Sequence, residues 1–335
     1  MLRSIFKLKV LSLFALVTLL VACRNDRSVD VSQIDLTIQS YRFEKDLKQH
    51  VNEITFLKNR YGKFFDLFVN QLLHLATPDS IQLKSRLKDF VNDPDITDIY
   101  STADSIYNDF SQVDTRLTDA LRHYKYFFPH KVVPQVATYI SGFNYAIVCT
   151  DSLLGIGIDM YLGVNSPYYP AINLPQFKIK NMQKDYIVAD AMRGWAQSEW
   201  EESPSNTDLL SHMIYSGKVL YFLNNMLPET PDSIKTGYTK AQLDWVRSNE
   251  KKVWAFFVDN RLLFASDQNQ IGKFVSEGPT TNGFPKESPG NIGQWIGLQI
   301  VESYMKNHSK VTLSELIENN DYKSIFNEAK YKPKK

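Results

Sequence analysis

Apolar residues recur at helical spacing from Phe43 to about Leu75. Leu57, Tyr61, Phe64, Phe65, Phe68 and Leu72 fall on one stripe, the mark of a helix face turned to a core. Pro78-Asp79 interrupts the pattern, and Asp79-Ser80 can cap a helix over Leu83–Val91. Asn92-Asp93-Pro94-Asp95 interrupts again. Residues 95–127 then read as one or two amphipathic helices with Ile99, Ile106, Phe110, Val113, Leu117 and Leu121 on the stripe. The period changes at Pro129. Val132–Ile140, Tyr145–Cys149 and Leu153–Tyr161 are β-branched or extended runs separated by short Gly, Asn, Asp and Ser breaks, so hairpins are expected. After a Pro- and Tyr-rich loop, Pro167-Tyr168-Tyr169-Pro170, helical patterns resume near residue 181 and run to about Trp200. A helix is predicted over 207–226, capped by Asn206 or Thr207 and stopped before Pro228. Others are predicted at 239–249, 250–263, 267–276, 289–306 and 312–319. The pattern predicts an α+β fold, mostly helical, with a small antiparallel or mixed sheet between two helical regions. It is expected to be one domain over 41–335, with helical parts at 41–128 and 181–320 and the sheet at 130–163.

The N-terminus follows a different rule. Arg3, Lys7 and Lys9 precede an apolar run from Val10 to Ala22, and the run ends in Leu20-Val21-Ala22-Cys23. Basic, apolar and small-residue segments in that order make a secretory signal. The run is about 13 residues, against roughly 20 for a membrane span. The last four residues resemble a bacterial lipobox, Leu-x-[Ala/Gly]-Cys. That resemblance implies removal of residues 1–22, acylation of Cys23 and a lipidated tether over 23–40, with a β-leaning end at Ile34–Ile38. The expected place is the cell envelope, facing the periplasm, with the inner or outer membrane left open. Several acyl chains anchor firmly where one does not.

Charge removes some partners. The 38 basic and 37 acidic residues give a net charge of +1, so no strong field invites nucleic acid. Aromatic residues reach 13%. They point to an aromatic core or, alternatively, to a glycan-binding surface carrying Tyr168-Tyr169. There are two cysteines. With Cys23 acylated, Cys149 has no intramolecular partner, and its apolar setting suits a buried inert thiol.

Catalytic signatures are few. Gly-x-Ser-x-Gly is absent. Gly217-Lys218 lacks the flanking residues of a phosphate loop, and Gly155-x-Gly157 lies within a strand, so no nucleotide is expected. In a zincin, a sheet is followed by a helix reading His-Glu-x-x-His, whose two His bind zinc while the Glu activates water. Here the five positions are His212-Met213-Ile214-Tyr215-Ser216. Only the first group is present, so neither catalysis, nor a metal, nor a cofactor is expected. Leu210, Ile214, Gly217 and Tyr221 on the adjacent face suit packing, with Gly217 admitting another segment.

Several blocks in order resemble the gliding-motility lipoprotein family GldB of Bacteroidetes. They are the lipobox, Thr138–Gly142, Gly157–Gly163 with Pro167-Tyr-Tyr169, and Met213–Phe222 with Met226-Leu-Pro228. Gly237-Tyr238, Gln242–Trp245, Glu250 with Val253-Trp254, Glu287–Gly290, Gly293-x-Trp295-Ile-Gly297 with Ile300-Val301, and Lys330–Pro333 follow. The resemblance implies a part in surface gliding and the associated type 9 secretion machinery. It also implies a distant similarity to zinc peptidases, hence a zincin-like core with a degenerate site in which Glu250 lies near an acidic ligand position. The expected function is non-catalytic binding of other gliding or secretion proteins from a lipid anchor. The candidate cleft residues are Asp159, Tyr161, His212, Ser216, Lys218, Glu250 and Trp254. The structural alternative is that Asp159 pairs with Lys218 and Trp254 is core. The competing function is a metal-dependent hydrolase acting on peptide or cell-wall substrates.

Overall fold

A computed structural model describes residues 29–75 and 80–333. The signal segment, Cys23, the start of the tether and the expected cap Asp79 lie outside the described residues.

The sheet is mixed. β1 (Tyr41–Arg42), β2 (Gln135–Tyr139), β3 (Ile147–Cys149) and β4 (Leu153–Gly157) lie in the order β1-β2-β4-β3. β1 and β4 flank β2 in parallel, and β3 pairs antiparallel with β4. The β3–β4 hairpin is the one expected. β2 and β4 are instead joined by a crossover, because β3 takes the outer edge. Alternation along the strands serves two cores. Val136, Ile140, Leu154 and Ile156 join the larger core. Ala137, Tyr139 and Leu153 face a smaller aromatic one.

That smaller core is built by α1 (Phe43–His50), α2 (Ile54–Tyr61), α3 (Lys63–Leu67) and the π-helical turn Phe68–Leu72. Phe43 sits edge-on to Phe68 and Tyr61, with centroids 4.7 and 4.8 Å apart. Gly155 faces this cluster for lack of room. A Cβ there would stand 2.7 Å from Phe64 and 3.2 Å from Tyr139. α4 (Ser80–Asn92), α5 (Pro94–Tyr107) and α6 (Ser111–Phe127) complete the N-terminal half. Asp93 caps α5 by accepting the N–H groups of Asp95 and Ile96, with Pro94 in the first turn.

The C-terminal half is α7 (Ile187–Glu199), α8 (Leu209–Met226), α9 (Asp232–Thr236), α10 (Lys240–Asp259), α11 (Gln268–Val275), α12 (Ile292–Asn307), α13 (Leu313–Glu318) and α14 (Tyr322–Ala329). Four details differ from the sequence pattern. α8 is capped by Asp208, whose Oδ1 accepts Ser211 N–H at 2.9 Å, rather than by Asn206 or Thr207. The two helices expected over 239–263 are one, opened by a Thr239/Gln242 capping box. α14 follows the last expected helix, capped by Asp321. Ile34–Ile38 is extended but not a strand, because α6 side chains rather than a neighbouring strand take its backbone bonds.

The aromatic excess is mostly core. Trp195, Tyr107, Tyr124, Tyr139, Tyr161, Tyr169 and six Phe are among the largest fully buried side chains. Tyr169 is itself buried, and Tyr168 Oη donates to Asp98 at 2.6 Å, so the loop offers no open aromatic platform.

α8 and α12 cross at glycines. A Cβ on Gly297 would sit 1.6 Å from the Met213 carbonyl oxygen, and one on Gly217 would sit 2.1 Å from the Gly297 carbonyl carbon. Gly217 admits another segment, as its position suggested, and that segment is α12. Gly297→Ala should therefore cost about 3 kcal/mol or more, since neither backbone can yield that far. Gly272→Ala in α11, with nothing nearer than 3.6 Å, should be neutral or stabilising by up to about 1 kcal/mol. Urea unfolding of the two variants checks both values.

Candidate functional site

A cleft of about 760 Å³ opens between α7, α8, the start of α10 and the start of α12. α7 turns Ile187, Val188, Ala191, Met192 and Trp195 inward, all buried. Its polar residues Asp190, Arg193 and Gln197 stand three and four apart on the opposite stripe, and all three line the cleft. Gly194 lets α7 lie on β3, because a Cβ there would be 2.5 Å from Ile147.

The wall mixes ionic, amide and apolar groups. Asp190 Oδ2 accepts a hydrogen bond from Tyr161 Oη at 3.0 Å. Burial raises the Asp190 carboxyl to about 6, against the opposing pull of Arg193 and the Tyr161 bond. Arg193 donates to the Lys235 carbonyl, and burial lowers its guanidinium. Burial likewise lowers the Lys180 ammonium, which lies 3.4 Å from Gln242 Oε1. Gln294 Nε2 donates to the Thr236 carbonyl at 3.0 Å, and Tyr238 Oη to the Asn291 carbonyl at 2.8 Å. Asn181 Nδ2 donates to the Gly237 carbonyl at 3.3 Å. The Oδ1 atoms of Asn181 and Asn291 are buried without a partner. Phe143, Ile147, Leu174, Phe177 and Val219 supply the apolar surface.

Three of the expected residues belong to this cleft. Ser216 lines it. Tyr161 reaches it through Asp190. Asp159 supports it from behind. Its Oδ2 accepts the N–H groups of Ser141 (3.0 Å) and Phe143 (2.8 Å), and so holds the turn that presents Phe143 and Asn144. Gly142 and Phe143 have φ of 73° and 68°, so the turn itself is left-handed and is held by that carboxylate. Asp159 is fully buried, its Oδ1 has no partner, and burial raises its carboxyl to about 6.

The other four lie elsewhere. His212 Nδ1 stands 2.8 Å from Glu202 Oε1, one turn before Ser216. Lys218 points to the far side of α8. It donates to the Asn319 carbonyl at 2.8 Å and covers the Tyr322 ring, rather than pairing with Asp159. Burial lowers its ammonium to about 7. Glu250 Oε1 accepts from Tyr331 Oη at 2.8 Å, and Trp254 packs edge-on against the same ring at 5.1 Å. Glu250 and Trp254 thus clamp the C-terminal segment onto α10.

The helix does not repeat the zincin arrangement. Met213 is buried at the α8–α12 crossing, where its Cγ would meet a Cβ on Gly293 at 3.1 Å. Among the described residues, no group of three His, Cys, Asp or Glu side chains is placed to share a metal ion. Asp190, Arg193, Lys180, Asn181, Asn291 and Gln294 were not singled out by sequence. The available signal was the row Asp190-x-x-Arg193-x-x-x-Gln197 crossing an otherwise apolar helix.

Asp159 ties stability to pH. Below about pH 4 the carboxyl is protonated in both states. From pH 4 to about 6 the unfolded chain releases its proton first, so rising pH favours unfolding, and above 6 the cost is constant. A rise from 3.8 to about 6 corresponds to about 3 kcal/mol. Asp159→Asn keeps an acceptor for the turn and has no proton to lose. Its stability relative to the parent should climb by about 3 kcal/mol between pH 4 and pH 7, read from urea midpoints across that range. A flat difference would mean that Asp159 ionises freely in the folded chain.

Among the described residues, no helix is long and apolar enough to cross a membrane. No curated protein and no solved structure matches the chain. The similarity to zinc peptidases therefore has no support beyond the first His of the helix. The family model for gliding motility protein GldB matches residues 24–333. Gly237, Tyr238, Gln242 and Gly290, from blocks that carry the sequence resemblance, all line the cleft. Since the match covers nearly everything after Cys23, the chain belongs to the GldB family of gliding motility proteins.

Proposed function

We propose that this protein is a lipid-anchored cell-envelope component of the gliding motility and type 9 secretion apparatus. In this reading it faces the periplasm and acts without catalysis, holding a segment of a partner protein in the cleft. The observation that carries the reading is the composition of the cleft wall. Gln197, Gln242, Gln294, Asn144, Asn181 and Asn291 set amide groups between apolar side chains. The amide nitrogens of Asn144, Asn181, Gln242 and Gln294 donate to the protein's own carbonyls, and the exposed Gln197 keeps its amide donor and acceptor for a guest. Peptide backbone presents the complementary groups at every residue. The Asp190–Arg193 pair gives such a segment one direction, with a positive and a negative end. Among the described residues, no hydrogen bond joins Ser216 to a base, and the imidazole on its helix, His212, is turned to Glu202. That arrangement favours binding over nucleophilic chemistry.

The test is colony spreading of a strain that lacks the gene and carries variants on a plasmid. Gln197→Trp and Ser216→Trp fill the cleft from two walls and should abolish spreading at normal protein level. His212→Ala should restore it fully. Spreading restored by both cleft-filled variants would overturn the reading. Stoichiometric divalent metal in the purified protein would favour the hydrolase instead.

A further inference from the structure

The N-terminal segment is strapped along α6. Ile38 N–H donates to Thr118 Oγ1 at 2.9 Å. Ser40 donates to Asp114 Oδ1 from both its N (3.2 Å) and its Oγ (2.5 Å). Arg122 Nε donates to the Leu36 carbonyl at 3.0 Å. Two extended residues advance about 6.6 Å and four helical residues about 6 Å, so the strap stays in step with the row Asp114, Thr118, Arg122. It runs antiparallel to the helix. The next position on that row is Tyr126, where the chain has turned at Val31–Ile34 and the ring is 50% exposed. The N-terminus is therefore delivered to the C-terminal end of α6.

The surface there has a distinct character. Val132 is 60% exposed, beside exposed Pro129 and His130. From Ala120 to Gln135 there is no Asp or Glu, while Arg122, Lys125 and Lys131 are cationic. Lys125 folds onto the Pro129 carbonyl at 2.8 Å, and Lys131 lies over Trp200 while pairing with Glu199 at 2.9 Å. The eight residue-to-residue steps from Cys23 to Val31 reach at most about 28 Å.

We propose that residues 122–132 form the face by which the domain rests on the anionic lipid surface into which Cys23 is anchored. Tyr126 suits the headgroup layer, and Arg122 and Lys125, which bond neutral carbonyls and so keep their charge, suit anionic headgroups. The short leash keeps this face within reach of the bilayer. The inference rests on the lipid-anchored reading above, not on the cleft.

The test uses the lipidated full-length protein with Val132→Cys in a Cys149→Ala background, labelled with an environment-sensitive dye. It is compared in detergent micelles and on vesicles of phosphatidylethanolamine and phosphatidylglycerol. On vesicles the emission should shift to the blue, and quenching by aqueous iodide should fall several-fold. A label at Phe264→Cys should be equally quenched in both. Adding Tyr126→Asp, an exposed change, should return iodide access at position 132. Unchanged quenching at position 132, with Cys23 shown to be acylated by mass spectrometry, overturns the docking face and leaves the anchor standing. An unmodified Cys23 overturns both.

Discussion

The close crossing of α8 and α12 is the contact on which the rest is built. Most helix pairs are held 8–10 Å apart by their side chains. Here Gly217 and Gly297 remove that spacer, and backbone meets backbone. The gain is dispersion contact along both helices. The consequence for the cleft is positional. Ser216 precedes Gly217, and Gln294 lies one turn before Gly297. The two walls to which they belong thus have their separation fixed by atoms that cannot be compressed. A side chain at either glycine would displace the cleft walls along with the helices.

Around that rigid pair sit buried ionisable groups whose charges are poorly compensated. Asp159 and Asp190 are both raised to about 6, and Lys218 is lowered to about 7, in each case chiefly by burial. Such groups cost stability at neutral pH, and a core of the same volume without them would be more stable. Two of the three are tied to the cleft. Asp190 is in its wall, and Asp159 holds the left-handed turn that carries Phe143. Their placement fits a site whose geometry matters more than its contribution to stability. Lys218 has a different task. Its ammonium lies over the Tyr322 ring and holds the Asn319 carbonyl, so it fastens the end of α13.

Much of the fold was legible because the hydrophobic period is strong. The three mid-chain strands, α6, α7, α8 and α12 all stand where the pattern placed them, within a few residues. Reading failed where a local signal was ambiguous. The expected break of α10 at Glu250 falls inside one continuous helix, where Lys251 and Lys252 are exposed and Glu250 is buried. The family resemblance implied a place for Glu250 near an acidic ligand position and put Trp254 in the same cleft, whereas their side chains meet Tyr331. Ser216 was found because i,i+4 spacing from His212 drew attention to its helix, although the two side chains serve different surroundings. Asp190 and Arg193 were passed over because no motif contains them. Only their position on the polar row of an apolar helix marks them, and whether such a row faces water or a cleft depends on tertiary packing.

The strap on α6 also bears on how a load at the N-terminus would be carried. Its bonds to Thr118, Asp114 and Arg122 lie across the direction of the chain, so tension along the strap shears them together rather than opening them one by one. Immediately after the strap comes β1, which pairs in parallel with β2. There Arg42 bonds Glu44 at 2.7 Å, Thr138 at 3.0 Å and the Tyr107 carbonyl at 2.7 Å. Thr138 in turn donates to the buried Glu44 at 2.6 Å. β2 continues through Ile140 into the turn held by Asp159. A pull that survives the strap therefore enters the sheet next to the turn that shapes the cleft, with α6 and the Arg42 network as the two fixed points along the way.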